Sequence, residues 1–401
     1  MLLEMCILKR LLLVYGKIKG EKFMFNMSFT DEQKDLQKMV REFTQKSVFP
    51  QAKELDRKGE FPEDLFKEAV EMGINCMNAP EEYGGPGLDS VTCVLLTEEL
   101  AKGDVGFATT LAANGLAAYP VLLAGTAEQK KKFFDIINQG KLAAFCLTEP
   151  NAGSDAGSVA TKARRDGDEY VLNGSKCFIT NGGLADIYTV FATVDSNKGV
   201  RGLSAFLVER SRPGVSVGKE EDKMGIRTTN TADVIFQDVR IPASNLLGRE
   251  GGGFKIAMNT LDISRPVVAA LGVGLGQAAV DMCTKYAKER VQFGKPISSF
   301  QAIQFLLADM AIQVEAARWL TYRAAYLRDA GLPFTKEAAM AKTMGGDVAM
   351  KVSVDAIQIF GGYGYSQEYP VEKLMRDAKI LQIFEGTNQI QRMVVAGQLL
   401  K

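Results

Sequence analysis

The spacing of apolar residues changes period twice along this 401-residue chain, and those two changes constrain the fold more than any other feature. Up to about residue 146 apolar side chains recur at helical spacing. Leu36, Met39, Val40 and Phe43 share one face after a cap at Thr30 or Asp31, and Leu65, Phe66, Ala69 and Val70 share another after Pro62-Glu63-Asp64. Stretches 90–101 and 127–139 read the same way, and the glycines and proline of 81–87 mark a loop. Near Leu147 short β-branched and aromatic runs take over, at 169–172, 176–180, 187–192, 203–208 and 232–236, with turns at Asn173-Gly174 and Asn181-Gly182-Gly183. Helical spacing returns at about Phe254 in four long stretches near 254–290, 299–329, 335–361 and 370–400. The reading is a multidomain α+β chain: an all-α N-terminal domain over 27–146, a middle β-barrel or sandwich over 147–253 and a C-terminal four-helix bundle over 254–401. Such a length suits two or three packed domains.

Composition narrows the chemistry. The 48 basic and 48 acidic residues cancel, which gives no electrostatic reason to expect nucleic acid or an anionic membrane as partner. There is no histidine, so Ser-His-Asp triads, Cys-His dyads and H-E-x-x-H metal sites are excluded. Acid–base work falls to carboxylates, Lys, Tyr, Cys or a cofactor. The six cysteines form no C-x-x-C pair and read as buried thiols in a reducing cytoplasm, with no disulfide framework and no metal site. In residues 1–26 the apolar run Leu11-Leu12-Leu13-Val14 is too short to span a bilayer, and the flanks do not suit a signal peptide. This leader reads as an artefact of start-codon choice. Lys19-Gly20-Glu21 can be encoded by a ribosome-binding-like AAA-GGA-GAA, with Met24 and Met27 downstream. The rival reading is a short natural extension.

Four segments invite a functional reading beside a plain one. Leu147-Thr148-Glu149-Pro150-Asn151-Ala152-Gly153-Ser154-Asp155 is either an interdomain turn or a loop whose hydroxyls and small residues face a cofactor. Phe178-Ile179-Thr180-Asn181-Gly182-Gly183 is either a hairpin edge or part of the same surface. Arg290, with Gln292-Phe293-Gly294 after it, either serves a helix dipole or grips a nucleotide by charge and stacking. In Ile383-Phe384-Glu385-Gly386-Thr387-Asn388-Gln389, Glu385 is either a surface glutamate or a base whose apolar surroundings raise its pKa. Gly272-Val273-Gly274-Leu275-Gly276 does not match the dinucleotide G-x-G-x-x-G and follows no strand, so it reads as close helix packing.

In this order and spacing the motifs resemble the acyl-CoA dehydrogenase family over about residues 28–400. One signature is Leu147-Thr148-Glu149-Pro150 with Gly153-Ser154-Asp155. The other runs through Gln358-Ile359-Phe360-Gly361-Gly362-Tyr363-Gly364, Arg376-Asp377-Ala378-Lys379 and Glu385-Gly386-Thr387. The resemblance implies FAD, a homotetramer built as a dimer of dimers, and FAD shared across a subunit boundary. It assigns Phe145, Leu147, Thr148, Gly153, Ser154, Phe178, Ile179 and Thr180 to the flavin and its phosphates, completed by Thr387, Asn388 and Gln389. Arg290, Phe293, Gln301, Gln358, Gly361 and Gly362 would reach it from the neighbouring subunit. Ser154, Asp262, Arg265, Phe384 and Gly386 would contact the acyl-CoA, and Glu385 would remove its α-proton. The Glu385 N–H and a ribityl hydroxyl would hold the thioester oxygen.

Within the family, a glutamate at 385 with Ser264 at the alternative base position points away from the isovaleryl-CoA type, and Ala108 argues against a dicarboxylate substrate. The stretches 221–227 and 339–342 look most like bacterial butyryl-CoA dehydrogenases. Phe384, where many members carry Tyr, Phe178, where medium-chain members carry Trp, and the medium-chain-like Ser264-Arg265-Pro266 are departures. The implied electron acceptor is electron-transferring flavoprotein. The rivals are a medium-chain or branched-chain dehydrogenase, an oxidase that reduces O₂, and a non-catalytic flavin-binding relative.

Overall fold

The computed structural model describes residues 28–401, so the leader reading for residues 1–26 lies outside the described residues. Helix α1 (Asp31–Phe43) starts at a reciprocal cap. The Gln33 N–H donates to Thr30 Oγ1 and the Thr30 N–H to Gln33 Oε1, both at 3.1 Å. A π-helical turn, Thr44–Val48, leads into α2 (Phe49–Lys58), which is followed by α3 (Glu63–Glu71), α4 (Ser90–Gly103), α5 (Val105–Ala124) and α6 (Ala127–Ile137). Asp89, Asp104 and Thr126 cap α4, α5 and α6 through their side-chain oxygens.

The sheet comprises β1 (Ala143–Cys146), β2 (Lys162–Asp166), β3 (Glu169–Thr180), β4 (Ile187–Thr193), β5 (Leu203–Glu209), β6 (Val215–Glu220), β7 (Thr231–Pro242) and β8 (Leu246–Leu247). Its order is β6-β7-β3-β2-β4-β5-β8, with β1 parallel to β4 in the register Ala143 to Ile187. Two sequence expectations change here. Residues 143–146 extend the sheet rather than the helical region, because their backbone pairs in parallel with residues 187–190 of β4. Asn173-Gly174 is not a turn: β3 runs through it with a bulge. A Cβ at Gly174 would lie 2.7 Å from the Thr161 Cα, so the close approach of that neighbour requires glycine.

The C-terminal part holds α7 (Gly253–Glu289), the short hairpin β9 (Val291–Gln292) and β10 (Lys295–Pro296), α8 (Gln301–Asp329), α9 (Thr335–Phe360), α10 (Val371–Ile380) and α11 (Asn388–Leu399). The stretch expected as one helix over 370–400 is therefore two helices, and the break between them carries Glu385. By length and composition α5 and α7 could cross a membrane, but 67% of each apolar window is buried inside the protein, as in a core helix.

One core joins helices to sheet. Phe133, Phe134 and Ile137 of α6 pack with Ala117 and Val121 of α5, Ile187 and Phe191 of β4, and Leu203, Ala205 and Leu207 of β5. Each of the three fully buried phenylalanines, Phe133, Phe134 and Phe191, contributes about 1.5–3 kcal/mol relative to exposure. A buried polar knot ties α5, the β6–β7 connection and α10 together. Asp104 accepts from the Phe107 N–H and the Thr228 hydroxyl, both at 2.6 Å, and Lys373 Nζ lies 2.8 Å from Asp104 and 2.5 Å from Asp377. Asp377 also accepts from the N–H of Ile226, a β-branched residue held at φ 44°. This knot anchors α10 immediately before the Glu385 break.

Candidate active site

The loop after β1, the end of β3, α5, α7 and the break before α11 converge on one cavity of about 200 Å³. Phe145, Leu147, Thr148, Gly153, Ser154, Phe178, Ile179 and Thr180 line it from the sheet side. Arg265 of α7 and Phe384, Glu385 and Gly386 of the break line it from the bundle side. Twelve residues singled out from the sequence thus meet in one place.

The sheet-side loop is held from below by a buried ion pair. Lys176 is fully buried; its Nζ donates to Glu149 Oε1 at 2.6 Å and to the Leu147 carbonyl at 3.1 Å. Glu149 also accepts from the N–H groups of Ala160 (2.6 Å) and Thr161 (3.0 Å). Burial alone would raise the Glu149 pKa, but Lys176 and these donors outweigh it and hold the carboxyl below its usual range. The Cys177 N–H donates to the Thr148 carbonyl at 3.0 Å, so both loop carbonyls are engaged. Phe178 follows at φ 56° and is 64% exposed at the cavity. Its open face, the hydroxyls of Thr148, Ser154 and Thr180, and the clear space at Gly153 fit a flat heteroaromatic group with polar edges.

Glu385 sits at φ 53°, followed by Gly386 at φ 88°. A Cβ at Gly386 would come within 2.6 Å of Gln391 Nε2, which itself donates to the Glu385 and Gly386 carbonyls at 3.1 Å each. A glutamate in the left-handed region is costly and persists because the surroundings fix it, while Gly386 adopts its positive φ freely. The turn swings the Glu385 side chain toward α7, where the Ser264 hydroxyl donates to Oε2 and also lies 3.2 Å from the Leu261 carbonyl. Burial raises the Glu385 pKa above the ordinary glutamate value, against the hydrogen bond from Ser264 and the positive charges of Lys342 and Arg265. Among the described residues no hydrogen bond uses the Glu385 N–H. The site therefore holds a carboxyl whose pKa is raised by burial, next to a backbone donor left unused among the described residues.

The other sequence candidates lie elsewhere. Asp262 does not line the cavity: one of its oxygens pairs with Arg265 and the other accepts from the Thr335 hydroxyl at 2.8 Å. Thr387 caps α11. Asn388 does not reach the cavity: its side chain is buried and engaged by Lys342, Thr343 and Asp347. Gln389 is exposed. Arg290, Gly361 and Gly362 line a separate cleft of about 530 Å³, where the Arg290 guanidinium lies 5.3 Å over the Tyr363 ring. Phe293 is 93% exposed, and Gln301 and Gln358 are also exposed. Sequence reasoning missed a second, small cavity of about 20 Å³ on the other side of Glu385, lined by Met77, Cys93, Leu111, Tyr119 and Ser264 among others. Its walls come from α4, α5, α7 and a turn, and no local motif marks them.

Residues 30–141, 144–239 and 251–400 match the acyl-CoA dehydrogenase N-terminal, middle and C-terminal domains in turn. The short-chain-specific acyl-CoA dehydrogenase of Megasphaera elsdenii is 51% identical over 382 residues, covering 94% of this chain and 100% of that protein. The solved structure of butyryl-CoA dehydrogenase from that organism superposes with a TM-score of 0.92 at 51% identity, over 94% of this chain and 100% of its own. A chain from a structure concerning the electron-transferring flavoprotein of Acidaminococcus fermentans and flavin-based electron bifurcation gives a TM-score of 0.92 at 49% identity, with the same coverage. Matched through all three of its parts and along nearly its full length, the chain belongs to the acyl-CoA dehydrogenase family of flavoprotein oxidoreductases.

Proposed function

We propose that the protein is an FAD-dependent dehydrogenase of short-chain acyl-CoA thioesters, converting butyryl-CoA to crotonyl-CoA or catalysing the reverse, with Glu385 as the base. The observation that carries this reading is the half-buried Glu385, its carboxyl pKa raised by desolvation, on the wall of a cavity whose opposite wall fits a flat ring. When bound, FAD supplies the acceptor for the hydride that leaves the β-carbon. Glu385 Oε takes the α-proton, and its own N–H is free to bind the thioester carbonyl oxygen, a contact that strengthens as negative charge develops there. The apolar lining excludes water. Electron-transferring flavoprotein is the proposed acceptor, in line with the likeness to the Acidaminococcus structure, and cytoplasmic location without a membrane span belongs to the same reading.

Chain length follows from the small cavity. About 20 Å³ beyond Glu385 holds roughly one water-sized group, which favours a short acyl tail. Forcing extra methylenes into such a space costs about 1–3 kcal/mol, so kcat/KM for octanoyl-CoA is expected to fall about tenfold or more below that for butyryl-CoA. An acyl-CoA panel assayed with electron-transferring flavoprotein tests this; octanoyl-CoA as the better substrate would move the enzyme to the medium-chain type. Peroxide formation at comparable rates without the flavoprotein would make it an oxidase.

The homotetramer belongs to this reading as well. Along α8, Phe305, Ile312, Trp319 and Tyr326 follow at seven-residue spacing and are 63%, 66%, 38% and 39% exposed. A heptad stripe of large apolar side chains fits a helix packed on another helix of a second copy. Ile312→Asp is expected to give smaller species in sedimentation velocity; an unchanged sedimentation coefficient would remove this stripe from the assembly.

A further inference from the structure

The fully buried ammonium of Lys342 on α9 lies beneath the turn that carries Glu385, and it does not line the cavity. Its Nζ donates to the Gly386 carbonyl at 2.8 Å and to Asn388 Oδ1 at 2.9 Å. Asn388 relays this contact onward, donating to Asp347 Oδ1 at 2.8 Å and to the Thr343 carbonyl at 3.1 Å. Asp347 in turn accepts from Gln382 Nε2 at 2.8 Å and pairs with Arg392 at 2.6 Å. Both ends of the break are therefore tied to α9, and the Gly386 carbonyl receives donors from Lys342 and Gln391 together.

We propose that Lys342 is a positioning residue for proton abstraction: it locks the left-handed Glu385–Gly386 turn and gives the Glu385 carboxylate a fixed positive neighbour from outside the cavity. This inference rests on Glu385 being the base. The physical need is plain. A glutamate in an apolar pocket tends to stay protonated, and a protonated carboxyl cannot accept the α-proton. Arg265 from α7 is the other cation near Glu385, and it is paired with Asp262. The Lys342 ammonium bonds to neutral carbonyl oxygens, so its charge is not cancelled by a direct carboxylate partner among the described residues. The charged groups facing Lys342 are Glu385 in the break, Arg265 on α7 and Asp347 on α9. Burial, with Arg265 adding to it, pushes Lys342 down to about 8, against the opposing pull of Glu385 and Asp347. Lysine and glutamate thus each hold the other in its charged form, and the pair is fully charged only between their two titrations.

The test is an infrared pH titration of the Glu385 carboxyl in the FAD-loaded protein without substrate, the band being assigned by its loss in Glu385→Gln. Removing an adjacent cation raises a carboxyl pKa by about one unit or more, so Lys342→Met and Lys342→Gln should both move the midpoint up by that amount. The acid limb of kcat/KM should move with it, while Lys342→Arg should return both toward wild type. Lower stability with an unmoved midpoint would make Lys342 a structural prop only and overturn the proposal. If the variants do not fold, the wild-type titration decides: the Glu385 carboxylate band should shift again as Lys342 loses its proton, and a band with no such second step would overturn it. Wild-type turnover of butyryl-CoA tests the enzymatic reading separately.

Discussion

Glu385→Gln is expected to keep FAD and bind acyl-CoA while kcat falls about 10³-fold or more, the range lost when a general base is removed. The substitution is nearly isosteric, and the Ser264 hydroxyl can donate to an amide oxygen as it does to Oε2. Loss of rate would then report chemistry rather than architecture. The raised pKa of Glu385 fixes the signs. Activity needs the carboxylate, so wild-type kcat/KM should fall as pH drops through a midpoint above the usual glutamate value. Stability runs the other way. A carboxyl whose folded pKa is raised binds more protons folded than unfolded between the two pKa values, so that group's contribution to stability grows as pH falls through the folded value. The Gln variant lacks this dependence and should melt no lower than wild type above that midpoint. A clearly lower melting temperature at neutral pH would mean that Glu385 is a structural residue.

Lys176→Met is expected to cost about 3–5 kcal/mol of stability and to weaken FAD binding, because it leaves Glu149 charged, buried and without its cation. The same change removes the donor on the Leu147 carbonyl and so loosens the loop that lines the sheet side of the cavity, the proposed flavin wall. Denaturant midpoints and flavin content of the purified variant measure the two effects. Adding Glu149→Gln to Lys176→Met should recover part of the stability, since no buried charge then remains. The contribution of Glu149 is fully present above its unfolded pKa and is lost as pH falls through its lowered folded value. An effect of only a few tenths of a kcal/mol would show that water reaches the pair and that it braces nothing.

What the sequence revealed of this site depended on where its chemistry is local. Leu147 to Ser154, Phe178 to Thr180 and Phe384 to Gly386 sit in short segments with unusual composition, each visible as a segment before any contact was known, whereas Phe145 was marked only by the family resemblance. Ser264, Gln391, Lys342 and the walls of the small cavity act through partners tens of residues away, and a Lys on a helix looks the same whether buried or solvated. The fold behaved similarly. The strands at 187–193 and 203–209 are apolar and were legible, whereas Lys162–Asp166 is almost wholly charged and exposed, Val215–Glu220 is a polar edge, and Ala143–Cys146 has four residues and a distant parallel partner. The break before α11 was misread as helix because residues 381–384 keep apolar spacing. What interrupts it is the pair of left-handed residues at 385 and 386, of which only the glycine leaves a trace in the sequence.

The central claim, that Glu385 removes the α-proton so that a bound flavin can be reduced, is tested most directly by anaerobic single-turnover mixing of the FAD-loaded protein with butyryl-CoA. The flavin absorbance of the wild type should bleach rapidly, and that of Glu385→Gln should persist although the thioester is bound. Bleaching at similar rates in both proteins would contradict the account.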